Sequence, residues 1–276
     1  MRAKRALGRL LTYAVLLAVT FVLLFPLLYA ISGSLMTAQE LSRYPPALLA
    51  SGPRLNSFAD VLGAIPLGRQ YLNSAIVAIA VTLGQLATST LSAYAFAFLR
   101  FPLRNAVFGV FLATMMIPWE AVIIPNYLFM AQNGLINTYP ALILPFLAAG
   151  FGTFLLRQFF LTFPRDLYEA ALVDGCGHLR FLWTILVPLS RPALASLGIY
   201  AFLQTWNQYF WPLLVTKTSV MQTLQIGISS LRDTEAATAP NYILAGVVLA
   251  LVPTLLLIYL GQRHIVRGLT AGALRG

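Results

Sequence analysis

An all-α integral membrane fold with six transmembrane helices is what this sequence predicts, and three observations carry the prediction. Of 276 residues, 59% are hydrophobic and only 9% charged, with a mean hydropathy of +0.80; a water-soluble domain of that length needs many more polar residues to cover its surface. The apolar residues fall into runs that match a bilayer core about 30 Å thick, which takes roughly 20 of them per helix. The charges, net +10, collect at the ends of these runs and do not form one basic face, a pattern of membrane topology and not of nucleic-acid binding.

The first run, about Leu10 to Ile31, follows the basic start Arg2, Lys4, Arg5 and Arg9. It exceeds the apolar core of a signal peptide, and Ser32-Gly33-Ser34 offers no A-x-A cleavage site, so it reads as a retained helix bent near Pro26. The segment from Met36 to Gln70 holds Pro45, Pro46, Pro53 and Pro66 and reads as an ordered cap, not a separate domain. Runs two and three, about Tyr71 to Leu99 and Ala106 to Met130, are joined by the short basic link RFPLRN. Run four covers about Pro140 to Phe163, run five Pro192 to Val215 and run six Tyr242 to Gln262. The whole, 1–276, is expected to be one transmembrane domain: an N-terminal helix at 10–31, a core of about 71–262, a loop at 164–190 and a tail at 263–276.

With the N-terminus inside, Arg2, Lys4, Arg5, Arg9, Arg100, Arg104, Arg157, Arg165, Arg180, Arg191, Arg263, Arg267 and Arg275 lie inside, and Arg43, Arg54, Arg69, Lys217 and Arg232 outside. Thirteen against five follows the positive-inside rule. Both termini and the 164–190 loop are therefore expected on the cytoplasmic side of the inner membrane. One cysteine, Cys176, excludes an intrachain disulfide, and with only His178 and His264 beside it no metal site is expected.

The loop breaks the composition of the chain: Arg165, Asp166, Glu169, Asp174 and Arg180 crowd between apolar runs. Pro164 suits a helix start, Arg165 to Val173 a short helix, and Asp174-Gly175-Cys176-Gly177 its stop and turn. A second short helix ends near Pro188, making a helix–turn–helix elbow. Ala170 and Ala171 leave room for another backbone to approach, and Glu169 offers a carboxylate to a basic partner. An acidic helix is poorly suited to lying on anionic lipid.

Glu169-Ala170-Ala171, Gly175, Ile185 and Val187-Pro188 resemble the EAA loop, EAA-x3-G-x9-I-x-L-P, of binding-protein-dependent ABC importer permeases. Val187 stands where that family usually has Leu. YLNS (Tyr71–Ser74), LSAYAFAFLRFP (Leu91–Pro102), GLINTYPALILP (Gly134–Pro145), WNQYFWPLL (Trp206–Leu214) and GLTAGALRG (Gly268–Gly276) extend the resemblance to the carbohydrate-importer, maltose-permease-like branch. Within it, Arg100–Asn105 and Trp206–Thr216 look most like the glycerol-3-phosphate permeases.

The resemblance implies a type I ABC importer permease fold and a coupling helix carrying Glu169, Ala170, Ala171, Asp174 and Gly175 that docks on an ATPase subunit. It implies a tail in which Gly268, Thr270 and Gly272 reach the ATPase interface. It also implies a second homologous permease subunit, two ATPase subunits holding ATP and Mg, and an extracytoplasmic solute-binding protein. The chain itself has no G-x-x-x-x-G-K-[ST] and binds no cofactor by this reading; it is not expected to be an enzyme.

Four residues are candidates for a translocation path. Glu120, between Pro118 and Pro125, either lines that path or sits at headgroup level beside Trp119, since a mid-bilayer carboxylate costs about 2.5–3.5 kcal/mol. Asn207, Gln208 and Trp211 form an amide–aromatic cluster, and helical spacing puts Gln204, Asn207 or Gln208, and Trp211 on one face. An aromatic belt is the alternative. Asn73, Gln85 and Thr88-Ser89-Thr90 read as glue between helices. The expected cargo is a small polar solute, glycerol-3-phosphate, a glycerophosphodiester or a related polyol, with a neutral di- or oligosaccharide as the alternative. An ion-coupled secondary transporter would need more intramembrane ionisable groups than Glu120, and an internal repeat. An intramembrane enzyme would need paired catalytic groups within the spans.

Overall fold

The computed structural model describes the backbone of residues 2–233 and 240–270 and the side chains of 8–232 and 240–262. Every element among them is helical. In chain order they are α1 (Arg2–Ser34), α2 (Ala38–Ser42), α3 (Asn56–Ala64), α4 (Leu67–Phe98), α5 (Arg104–Thr114), α6 (Trp119–Gln132), α7 (Tyr139–Ile143) and α8 (Gly150–Phe160). There follow α9 (Arg165–Val173), α10 (His178–Phe181), α11 (Val187–Leu189), α12 (Arg191–Trp206), α13 (Phe210–Val215), α14 (Leu224–Ser230) and α15 (Pro240–Thr270).

Among the described residues, three helices are long and apolar enough to cross a membrane: Gly8–Ser34, Leu67–Phe98 and Pro240–Gln262. Three bent pairs pass the same test jointly: Arg104–Thr114 with Trp119–Gln132 at 90°, Tyr139–Phe146 with Gly150–Phe160 at 43°, and His178–Leu189 with Arg191–Trp206 at 81°. Six spans result if each pair is one. Runs three and four of the sequence are thus broken, and the third bend falls at Ser190, just before run five. Pro118, Pro145 and Pro192 stand at or next to these bends, where a missing amide hydrogen costs least. Run five is itself interrupted between Trp206 and Phe210.

The chain divides into two compact units, Met1–Leu67 with Gly227–Val252, and Gly68–Ile226 with Pro253–Gly276. In the first, α1 continues as one helix through Pro26, and its apolar side chains from Leu10 to Leu24 stand exposed, as lipid-facing groups must. The segment after it is ordered by hydrogen bonds. Thr37 and Glu40 form a capping box at the start of α2, the Ser51 amide donates to the Glu40 carboxylate at 3.2 Å, and the Ser32 hydroxyl donates to the Leu48 carbonyl at 2.9 Å. The Asn241 amide donates to the Ser57 hydroxyl at 2.8 Å. The four prolines therefore sit in a cap with short helices of its own.

In the second unit α4 is the spine, and its polar residues answer the break between α7 and α8. That break frees the carbonyls of Phe146 and Leu147, which accept from the Gln85 amide at 2.9 Å and the Thr88 hydroxyl at 2.8 Å; in lipid nothing else would satisfy them. Ser92 bonds the Thr153 hydroxyl at 2.7 Å. A Cβ at Gly152 would collide with Ser89 and come within 3.2 Å of Leu197, so the small residue is what lets α4, α8 and α12 approach closely. One buried cluster (Val77, Val81, Met130, Leu142, Trp211 and Val215 among others) fills one end. Another (Tyr94, Leu156, Phe160, Phe181, Leu186 and Leu197 among others) lies beneath the elbow.

Candidate functional site

The elbow begins at Pro164, which is the N-cap of α9 with ψ 131° and not its first helical residue. Asp166 in the first turn opposes the positive end of the helix dipole. Its end is a Schellman motif: the Cys176 amide donates to Ala171 at 2.8 Å and the Gly175 amide to Leu172 at 3.0 Å, with Gly175 at φ +74°. This local geometry explains the spacing of Ala171, Gly175 and the residue after it. A left-handed residue is required four positions past Ala171, and glycine adopts it without strain.

Helical rotation sorts α9 into two faces. Ala171 is buried and Tyr168 half-buried, both in the cluster beneath the elbow, while Arg165, Glu169, Ala170, Leu172, Val173 and Asp174 are exposed. The two alanines therefore divide their work. Ala170 leaves room outside, whereas Ala171 packs on its own chain and is not available to a partner, because it lies one turn from Tyr168 on the inward face. One turn along α9 from Glu169 stand Leu172, 40% exposed, and Val173, 87% exposed; farther along the elbow, on α10, Leu179 is 65% exposed. Exposed apolar groups beside a carboxylate on an ordered elbow are the kind of surface that a partner can cover.

The inward face is anchored by aromatic rings. Tyr168 packs on Phe98 and on Phe181 at ring distances of 5.0 Å each, and Phe98 packs edge-on against Phe181 at 5.5 Å. Nδ1 of His178 is shared by the hydroxyls of Tyr168 at 2.8 Å and Tyr94 at 3.2 Å. The rings pack α9 closely against the end of α4, and packing of this density is able to transmit strain. Sequence reading missed Tyr94, Phe98, Tyr168, Phe181 and His178. The signal was there in Tyr168, one turn before Ala171, and in LSAYAFAF, where Tyr94 and Phe98 lie one helical turn apart.

The candidate path residues fare differently. Glu120 is exposed in the first turn of α6, next to Trp119. Asn207 is the exposed C-cap of α12, its side-chain amide turned back on the Leu203 carbonyl at 2.9 Å, and Gln208 is half-buried. The helix stops at Trp206 and restarts at Phe210, so Gln204, Asn207 or Gln208, and Trp211 do not share one helical face; Pro212 takes the restart as its own first turn. Trp211 is fully buried, donating its Nε1–H to the Ala141 carbonyl at 2.9 Å and lying edge-on to Trp119 at 5.7 Å. It is packed within a buried apolar cluster and touches no solvent. The tail residues Gly268, Thr270 and Gly272 lie outside the residues whose side chains are described, though the α15 backbone runs to Thr270.

The other signature stretches converge at the end of the unit away from the elbow. Asn73 of YLNS donates to the carbonyls of Val220 and Gln222, each at 2.8 Å, and accepts from the Tyr139 hydroxyl at 2.7 Å. The Ser74 hydroxyl accepts from the Leu224 amide at 2.8 Å. Asn137, at φ +65°, accepts from the Lys217 and Thr218 amides at 2.8 and 3.1 Å. Asn73, read from sequence as glue between helices, also ties down the loop that follows α13.

Residues 80–271, the elbow included, match the family described as binding-protein-dependent transport system inner membrane component. The chain belongs to that family. As a permease of this kind it is a transport subunit in an inner membrane and not an enzyme, and it works in a system that includes a solute-binding protein. It is 40% identical over 275 residues to the sn-glycerol-3-phosphate transport system permease protein UgpE of Rhizobium meliloti (strain 1021), covering 96% of this chain and 97% of that one. To the protein of the same name from Yersinia pestis bv. Antiqua (strain Antiqua) it is 40% identical over 255 residues, 90% of each chain. The fold is that of a chain from the crystal structure of a bacterial ABC transporter involved in the import of the acidic polysaccharide alginate, with a TM-score of 0.83, 23% identity, and coverage of 95% of this permease and 98% of that chain.

Proposed function

We propose that this permease carries sn-glycerol-3-phosphate or a closely related glycerophospho compound into the cytoplasm, driven by ATP hydrolysed on partner subunits. The observation that carries the coupling part is the elbow: α9 presents Glu169, Ala170, Leu172 and Val173 outward while its other face is locked by aromatic packing to α4. A carboxylate amid exposed apolar groups suits a cleft that supplies a basic residue, and such charge pairing sets register as well as affinity. Whole-length similarity to permeases named for sn-glycerol-3-phosphate supports the substrate class.

In this reading the elbow and both termini face the cytoplasm, which places the arginine-rich ends inside. The chain, 1–276, acts as one transmembrane domain beside a second, homologous permease, above two ATPase subunits that bind ATP and Mg, and below an extracytoplasmic binding protein. Closure of the ATPase pair moves α9 with it, and the rings of Tyr168, Phe181 and Phe98 pass that movement to α4. Alternating access follows if the bundle has two packed arrangements whose balance the motor shifts. The tail with Gly268, Thr270 and Gly272 reaches the ATPase interface.

Two measurements test this. In the reconstituted importer, Glu169→Lys keeps the protein inserted and assembled but lowers solute-driven uptake at least about tenfold relative to ATP turnover, as expected for a reversed charge in a docked pair; normal uptake would remove α9 from the coupling role. ATPase stimulation by the cognate binding protein is expected with glycerol phosphates or glycerophosphodiesters. A response confined to amino acids or peptides would overturn the substrate class.

A further inference from the structure

Beside α9, between that helix and the link joining α4 to α5, lie two adjoining open cavities of about 680 and 610 Å³, both lined by Arg100, Phe101, Arg104 and Arg165. Glu169 is the one carboxylate among their described lining residues. Arg104 donates to the Leu99 carbonyl at 3.1 Å, and among the described residues the guanidinium groups of Arg100 and Arg165 make no hydrogen bond or ion pair. A fourth guanidinium stands behind them: Arg157 lies 4.0 Å over the Phe108 ring, within electrostatic reach of Arg104, and its buried Nε has no partner.

Positive charge here exceeds the protein's own negative charge, and the walls of Phe98, Phe101, Phe160 and Tyr168 screen it less than open water does. An anion would relieve that repulsion. Guanidinium forks pair bidentately with carboxylate and phosphate. Three forks around one cavity offer more donors than a single carboxylate accepts, whereas a phosphate brings enough oxygens to meet them. The exposed side chains of Leu103, 77%, and Leu161, 46%, which line the smaller and larger cavities respectively, put apolar surface at the rim.

We propose that Arg100, Arg104 and Arg165 form a binding site for a phosphate-bearing anion that bridges the α4–α5 link to α9. The phosphate belongs either to the headgroup of an anionic phospholipid or to a dissolved phosphate ion. Once bound, it ties the elbow to residues 100–104 through ionic contacts and resists separation of the two. Binding rests on the cavity alone; only its effect on transport rests on α9 being the coupling helix.

The test uses the assembled importer in nanodiscs of phosphatidylcholine alone, or mixed with phosphatidylglycerol, or in phosphatidylcholine with added inorganic phosphate. Retained lipid or phosphate is read by native mass spectrometry without ATP or solute, so failure here leaves the Glu169→Lys outcome independent. Wild type is expected to retain one of the two probes, and the Arg100→Gln, Arg165→Gln double variant to bind it at least about tenfold more weakly, the scale of losing charged hydrogen bonds. Retention of phosphatidylglycerol assigns the lipid headgroup, and retention of inorganic phosphate in phosphatidylcholine assigns the dissolved ion. Should the glutamine variant not assemble, Arg100→Lys with Arg165→Lys keeps the charge but loses the fork, and weaker binding of the same probe is expected. Equal retention by wild type and variants overturns the proposal. So does retention of neither probe, which would leave the arginines to an acidic segment of a partner chain.

Discussion

Gly175 holds φ +74° with nothing within 4 Å of the point where a Cβ would stand, so what a side chain would meet there is backbone strain and not collision. Gly175→Ala is expected to cost about 1 kcal/mol locally and to speed amide exchange at residues 172–176 about fivefold, read by mass spectrometry; Gly175→Asn, which tolerates the left-handed region, recovers most of it. Glu40 is the other residue whose surroundings make a measurable claim. The Ser51 hydroxyl first, and the Thr37 amide next, hold its carboxyl down from 4.5 to about 2. Because the folded value is depressed, the contribution to order is complete above 4.5 and is lost as pH falls through about 2. The Ser51 amide resonance should titrate with a midpoint near 2, and Ser51→Ala should move the Glu40 midpoint toward 4.5.

Breaks govern the elements. Helices that cross a bilayer hide their amides and carbonyls, and each interruption must be answered by a neighbour. Gln85 and Thr88 answer the α7–α8 break, Trp211 answers the Ala141 carbonyl, and Asn73 holds the loop after α13. Trp211→Phe keeps the ring but leaves that carbonyl unpaired in a buried site, at a cost of about 1–3 kcal/mol. The expected result is a lower midpoint of thermal unfolding in detergent with assembly intact; Trp211→Ala, which also opens a cavity, should cost about 3–5 kcal/mol. An unchanged midpoint for Trp211→Phe would show that the carbonyl finds another donor.

For the whole molecule, an exposed α1, an outward α9 and a positively charged cavity beside α9 describe a part made to be covered by lipid and other chains. Truncation after Arg267 removes the small-residue tail and is expected to lower the ratio of solute moved to ATP hydrolysed several-fold while the permease still inserts and assembles. Uptake per ATP equal to wild type would release the tail from the ATPase interface.

Composition, run length and charge placement make an all-helical membrane fold legible in the amino-acid sequence by itself, because a bilayer imposes hydrophobicity on each span separately and needs no tertiary contact to do so. The elbow is legible for a similar reason: the stop at Gly175 is a local backbone demand, written in the residue itself. Pairings between distant residues are not legible. Hydropathy gives no sign of where apolar runs three to five break, since a broken helix and a straight one score alike, and proline alone does not mark a break, because Pro26, Pro125 and Pro253 lie inside continuous helices. The facing of Ala171 inward, the enclosure of Trp211, the His178 bridge between Tyr94 and Tyr168, and the gathering of Arg100, Arg104 and Arg165 depend on helices packing side by side. Only the tertiary structure decides those, because each partner's contribution is set by its distance in space and not along the chain.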